Sequence, residues 1–211
     1  MGVASLLTMG PVIWAVRSVS PVEAGPQAIR PDRLPWRAMS LELIAYFLFA
    51  VGYIVYLTFV VAWMREGQAS AALIAGMWSL LGFMVMASPI LWRGVLARYA
   101  GGTPTGVGTL LPILVPGPLG ALASAFVFGG CFFMGPASVT AFGRHNLPEP
   151  QWGASIALFT SIFAVGQLIG PVAAGYISDL TDDLTLGLMI AGATLVLAGA
   201  MAAFQKPLTV R

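Results

Sequence analysis

Residues 101–117 read GGTPTGVGTLLPILVPG, and whether this strip crosses a bilayer decides the fold. Pro112 lies inside it and Pro116-Gly117-Pro118 ends it, so its apolar portion falls short of the roughly 20 residues a spanning helix needs. Five longer charge-free runs flank it: residues 43–64, 69–92, 119–142, 152–178 and 184–204. If the strip spans, Arg17, Arg30, Arg33, Arg37, Arg93, Arg98, Arg144, Lys206 and Arg211 collect on one side, nine of the ten basic residues. Arg65 and the acidic Asp179, Asp182 and Asp183 then remain opposite. If it does not span, Arg144, Lys206 and Arg211 change sides, and the asymmetry that orients membrane helices with their basic loops in the cytoplasm collapses. The sequence therefore predicts six spans after residue 40, the short one accommodated by little tilt, local thinning or shelter among its neighbours.

Composition agrees with a bilayer protein. Of 211 residues 58% are apolar and 9% charged, with a mean hydropathy of +0.89, against about a quarter charged in an ordinary soluble domain. That balance excludes a disordered tail, a nucleic-acid binder and a disulfide-stapled secreted module. The net charge of +2 comes from basic residues spread along the chain, which make topology signals and no basic face. Cys131 is the only cysteine and lies in an apolar run, so it reads as a small buried hydrophobe.

The first forty residues differ in kind. Residues 1–16 are apolar but too short to span, with Pro11 inside, and have neither the basic leader nor the cleavage site of a secretory signal. Residues 17–40, with Pro21, Pro26, Pro31 and Pro35, read as a cytoplasmic linker. With Arg17 inside, residues 1–16 would be the end of a preceding span, so the chain reads as starting partway through a longer gene. The expected order is a partial transmembrane helix (1–16), a linker (17–40), a six-helix bundle (41–205) and a cytoplasmic tail (206–211).

Two polar stripes stand out. Glu42, Tyr46, Phe49, Tyr53 and Tyr56 step by 4, 3, 4 and 3, which gathers them on about a quarter of a helix circumference. Such a stripe either lines a polar cavity or serves as an interfacial anchor and a packing face; Tyr53 and Tyr56 lie mid-span, where an unpaired hydroxyl is costly. Thr160, Gln167 and Ser178 form the second stripe. A primary amide at bilayer depth faces protein or water, so Gln167 either joins two helices or contacts a solute. Beside it Gly166, Gly170, Pro171 and Gly175 read as a packing hinge. Gly129-Gly130 and Gly135-Pro136 break another span, with Ser138 and Thr140 following, as at interrupted helices of transporters or at tight helix contacts. Pro89 after Ser88 and Pro171 after Gly170 hold comparable places in successive three-helix sets, which hints at a three-plus-three repeat.

Catalytic chemistry finds no candidates. The single histidine, His145, reads as a solvated loop residue beside Arg144 and Asn146, and no metalloprotease motif, phosphate-binding loop or intramembrane carboxylate pair occurs. Glu42 lies only at the membrane edge, so any proton or ion coupling must use Glu42 or groups elsewhere. Neither metal nor cofactor is expected.

The run LIAYFLFAVGYIVYLTFVVAWMREGQASAALIAGMWSLLGFMVMASPILWRGVLARY resembles the seventh and eighth helices of the major facilitator superfamily, closest to its YbfB/YjiJ-like group of bacterial transporters. GQLIGPVAAGYISD resembles the eleventh helix, with Gly166, Gly170, Pro171, Gly175 and Asp179 in the family pattern. Between the eighth and ninth helices Arg98 matches the basic position, whereas Ala97 stands where an acidic residue is expected; Arg93 shares that cytoplasmic loop. The resemblance covers residues 38–204, with the segment before it matching the end of a sixth helix and the central loop.

It implies an all-α membrane protein equivalent to the C-terminal six-helix half of the fold, a three-plus-three inverted repeat. It also implies a bacterial inner-membrane location and alternating access to a midplane site. Tyr53, Tyr56, Ser138, Thr160 and Gln167 become solute-path candidates. The implied partners are membrane lipid, a small-molecule solute with or without a coupling ion, and a second six-helix half or a second copy; nucleic acid is not among them. Tyrosine and glutamine without a fixed counter-charge point to neutral parts of the solute. The rival reading is a non-transporting scaffold or an inactive transporter remnant.

Overall fold

The computed structural model describes residues 34–91, 110, 113–115, 117–181 and 183–208. The helices set out among these residues are, in order, α1 (Ser40–Glu66), α2 (Ala71–Leu91), α3 (Pro118–Cys131), α4 (Met134–Asn146), α5 (Trp152–Thr181) and α6 (Leu184–Ala203). A short 3-10 turn, Glu149–Gln151, leads into α5. Among the described residues, five stretches are long and apolar enough to cross a membrane, α3 and α4 counting together as Pro118–Asn146. They coincide with the five clean runs of the sequence. Most of the strip 101–117 lies outside the described residues, as do residues 1–16, most of the linker 17–40, Arg93 and Arg98, and the end of the tail. Within the strip, Leu110, Ile113 and Leu114 have helical backbone and Ile113 packs on the core.

Helices form because hydrocarbon offers backbone N–H and C=O groups no partner, so a span must close its hydrogen bonds internally. Charges are confined accordingly: Glu42 lies in the first turn of α1, Arg65 and Glu66 in its last turn, Arg144 in the last turn of α4 and Asp179 near the end of α5. His145 also sits in the last turn of α4, not in a loop as its polar neighbours suggested; it is exposed, with Nδ1 2.8 Å from the Ala141 carbonyl. Arg144, in the same turn, complements the negative end of the helix dipole.

The helix α1 is the hub. It lies along both α5 and α6, touches α4, and α2 pairs with α3. Helix α6 runs antiparallel to α1: Trp63 Nε1 donates to Thr185 Oγ1 (3.1 Å) at one end, and the Glu42 N–H donates to Gln205 Oε1 (3.1 Å) at the other. That second bond satisfies one of the amides every helix leaves unpaired in its first turn. Gln205 Nε2 also donates to the Ala38 carbonyl (3.1 Å), and the Leu208 N–H donates to Asn146 Oδ1 (2.7 Å), so the tail straps α6 to α1 and α4.

Helix α5 runs parallel to α1, and two glycines bring their backbones together. A Cβ at Gly166 would lie 2.7 Å from Ala50 Cβ and 2.9 Å from the Phe47 carbonyl oxygen; one at Gly170 would lie 3.0 Å from the Val51 oxygen. This close approach is the use of small residues in membranes, where lipid is as apolar as leucine and packing supplies the attraction. Gly166 and Gly170 lie in this close contact, and the helix continues through Pro171.

Between α3 and α4 the span does break, at Phe132–Phe133, midway between the two glycine-containing pairs that announced it. Pro136 has no N–H to give to the Phe132 carbonyl, and its ring crowds that oxygen, so the helix stops one turn before it and restarts. The Phe132 amide then closes a tighter bond to the Gly129 carbonyl (3.3 Å), and the Ala137 amide begins the new helix on Phe133 (3.0 Å). Replacing Pro136 with alanine should restore the missing donor and join the two helices. The expected sign is slower amide exchange at residues 133–137, and unchanged exchange would assign the break to the packing around Phe132 instead.

Candidate functional site

The stripe on α1 turns inward. Tyr46, Phe49, Tyr53 and Tyr56 are all buried in the bundle core. Tyr46 and Tyr53 stack with Phe163 of α5, and Phe49 stacks between the two tyrosines: Tyr46–Phe49 at 6.1 Å and 3°, Phe49–Tyr53 at 5.7 Å and 19°, Tyr53–Phe163 at 5.3 Å and 13°. Phe132, at the break, meets Tyr53 edge-on (5.4 Å, 70°). Offset stacking and edge contacts are the favoured arrangements of aromatic quadrupoles, so these rings hold one another in place.

Two polar contacts cross the core from α1, one turn apart. Gln167 Nε2 of α5 donates to the Tyr53 hydroxyl. The Tyr56 hydroxyl pairs with Ser124 Oγ of α3 at 2.6 Å, and the Tyr56 ring lies on Phe128 with centroids 4.2 Å apart. Each mid-span hydroxyl thus has the partner that its depth in the membrane demands. Among the candidates, the structure brings Tyr53 and Gln167 together. Tyr56 is fully buried and belongs to the α1–α3 contact. Ser138 is half-buried and turns back on its own helix, donating to the Gly135 carbonyl at 2.7 Å. Thr160 is exposed on α5, two turns before Gln167. Pro89 lies inside α2, and Gly175 approaches α1 less closely than the other two glycines, 3.9 Å from a Cβ position to the Phe59 ring.

Ser124 was not singled out by sequence. Its signal was present, a lone hydroxyl at mid-span among alanines and glycines, but its partner lies 68 residues away and no spacing rule links the two. Two further buried hydroxyls, Ser88 and Ser155, have no hydrogen-bond partner among the described residues. Glu42 is buried at the end of α1 beside the Gln205 clasp and makes no ion pair among the described residues.

At the middle of α5, Gln167 is the half-buried member of this cluster, while Tyr53 is enclosed by Phe49, Phe132 and Phe163. The arrangement presents an amide edge against aromatic faces, suited to recognition of a small molecule without covalent chemistry. The family model described as "Uncharacterised MFS-type transporter YbfB" matches residues 1–203. A comparison with curated proteins returns no match.

Proposed function

We propose, because the chain belongs to the YbfB-like family of MFS-type transporters, that it moves a small solute across the bacterial inner membrane by alternating access. In this reading the chain supplies one six-helix wall with a three-plus-three arrangement, residues 101–117 forming its third span. A second six-helix half or a second copy supplies the facing wall. Basic residues other than Arg65 lie on the cytoplasmic side, and Glu42, buried near that side, is the group available for ion coupling.

The observation that carries the site assignment is the Tyr53–Gln167 pair, set at mid-span against Phe163 and Phe132. An amide with an accessible edge at that depth is not stable against lipid tails, so the edge faces protein or an aqueous path. Thr160 extends the same face of α5. Tyr56 and Ser138 contribute by fixing helices around the path.

The test is uptake of a panel of labelled neutral solutes, amines and carboxylates into cells expressing the full chain. At least one solute should enter faster than in control cells, and Gln167→Ala should slow its entry about tenfold, the equivalent of about 1.4 kcal/mol. Tyr53→Phe should give a smaller loss, since it removes one partner of the amide and leaves the ring stack. Unchanged uptake in both variants removes the site assignment. The scaffold reading has one observation in its favour: Tyr53 and Tyr56 are each satisfied within this bundle. It predicts control-level uptake throughout the panel.

A further inference from the structure

We infer that Arg65 and the open face of α2 form a site for one glycerophospholipid, its phosphate held by the guanidinium and one acyl chain lying along α2. Such a site is independent of transport and needs only α1 and α2 in a bilayer. Where α1 ends, a groove of about 310 Å³ opens between its last turn and the start of α2. That volume is at the lower end for small-molecule sites, enough for a head group and too little for a whole lipid. Arg65 is the one charged residue on its walls, the others being Ala69, Ala71, Ile74 and Ala75. It has no ion-pair partner among the described residues. Glu66 follows it in sequence but does not line the groove, because a helix turns consecutive residues about 100° apart.

Position and charge select the head group. Arg65 stands in the last turn of α1, directly after the uncharged run that ends at Met64, so its guanidinium sits where hydrocarbon gives way to lipid phosphates. The planar fork of an arginine matches a phosphate through two parallel charge-assisted hydrogen bonds. The groove also borders the first turn of α2, where the helix dipole adds to the attraction that Arg65 supplies.

The face of α2 selects the tail. From the groove onward Ala71, Ala75, Trp78 and Gly82 step by 4, 3 and 4, which puts them in one row, and all four are exposed. A Cβ added at Gly82 would meet nothing within 4 Å, so the trough is open at that depth. Eleven residues at a rise of about 1.5 Å cover roughly 16 Å, close to half of a hydrocarbon core of about 30 Å. That is the reach of one acyl chain within its own leaflet. A second protein helix fits less well, since Phe83 and Met86, 67% and 78% exposed, stand beside the row and hold a straight backbone away. A flexible chain passes between them. The side of α2 that packs on α3, with Leu81 and Met84 against Gly129, points elsewhere and leaves this row free.

Three probes separate head from tail: dioleoyl phosphatidylglycerol, dioleoylglycerol, which has the chains without the phosphate, and glycerol phosphate, which has the phosphate without the chains. Each is titrated into the full chain in detergent micelles while bound mass is read by native mass spectrometry. The first phosphatidylglycerol should load at concentrations about tenfold below dioleoylglycerol, and glycerol phosphate should not load. Arg65→Gln should remove that advantage, whereas Arg144→Gln, at the opposite end of the bundle, should keep it. Ala75→Trp, a change at an exposed position, should weaken both lipids by filling the trough. Phosphatidylglycerol loading no better than dioleoylglycerol overturns the inference, as do equal losses in the two arginine variants, which would mean attraction to surface charge in general. Glycerol phosphate loading as readily as the lipid would make this a site for a free anion, and lipid loading untouched by Ala75→Trp would empty the trough. Dimer masses abolished by Ala75→Trp would give the face to a second copy of the chain. Each of these three results also overturns it.

Discussion

Valine in place of Gly166 should cost the chain more than about 3 kcal/mol, beyond the usual range for overpacking, and lower its thermal midpoint by roughly 6 to 12 °C. The reason is what surrounds the missing side chain. A Cβ there would lie 2.7 Å from Ala50 Cβ, 2.9 Å from the Phe47 carbonyl oxygen and 3.4 Å from the Val51 nitrogen. Main-chain atoms of a helix cannot swing aside as a methionine would, so α5 must move off α1 as a unit. That displacement also separates Gln167 from Tyr53, and uptake should fall with stability. Gly82→Ala is the comparison: no atom lies within 4 Å of the Cβ it adds, and the gain in helix propensity should leave stability equal or about 0.5 to 1 kcal/mol higher. Equal midpoints for Gly166→Val and Gly82→Ala would mean that α1 and α5 do not pack through this glycine.

Tyr56→Ala should be the second severe change. Tyr56 is fully buried, lies on Phe128 and bonds to Ser124. In a bilayer the transfer from water is not the relevant term, because the unfolded span is already in hydrocarbon; the losses are contact and cavity terms. Removing roughly 100 Å³ of side chain at about 24 cal/mol per Å³ of cavity costs about 2 to 3 kcal/mol. The orphaned Ser124 hydroxyl adds about 1 kcal/mol. Tyr56→Phe keeps the ring and removes the hydroxyl alone, so it should cost no more than about that last amount. Midpoints measured for both variants separate the two contributions, and a Phe variant as damaged as the Ala variant would assign the role of Tyr56 to its hydroxyl alone.

How far the sequence reaches is clearest at α5 and at the break. GQLIGPVAAGYISD announced close packing through Gly166 and Gly170, and both glycines do lie against α1. The same string places Pro171 inside the span, and α5 continues through it. One missing hydrogen bond in a 30-residue helix is tolerated when a neighbouring helix supports both sides of it. Around Pro136 the glycine pairs lower the cost of stopping, and the helix does stop, at Phe132–Phe133, one turn before the proline.

From residue types in order alone came the class of the molecule: long uncharged runs in a chain with few charges leave helices that cross a bilayer as the one way to satisfy the backbone. The sequence also supplied the family resemblance, and the aromatic stripe of α1 as a single face. What that face meets was decided by the tertiary structure. Tyr53 found Gln167, Tyr56 found Ser124, and the stripe became the core of the bundle. Helical periodicity places residues on a face of one helix, but the rotation of that helix toward its neighbours is a sum of contacts between segments far apart in the chain. Those contacts exist only once α1, α3 and α5 have packed.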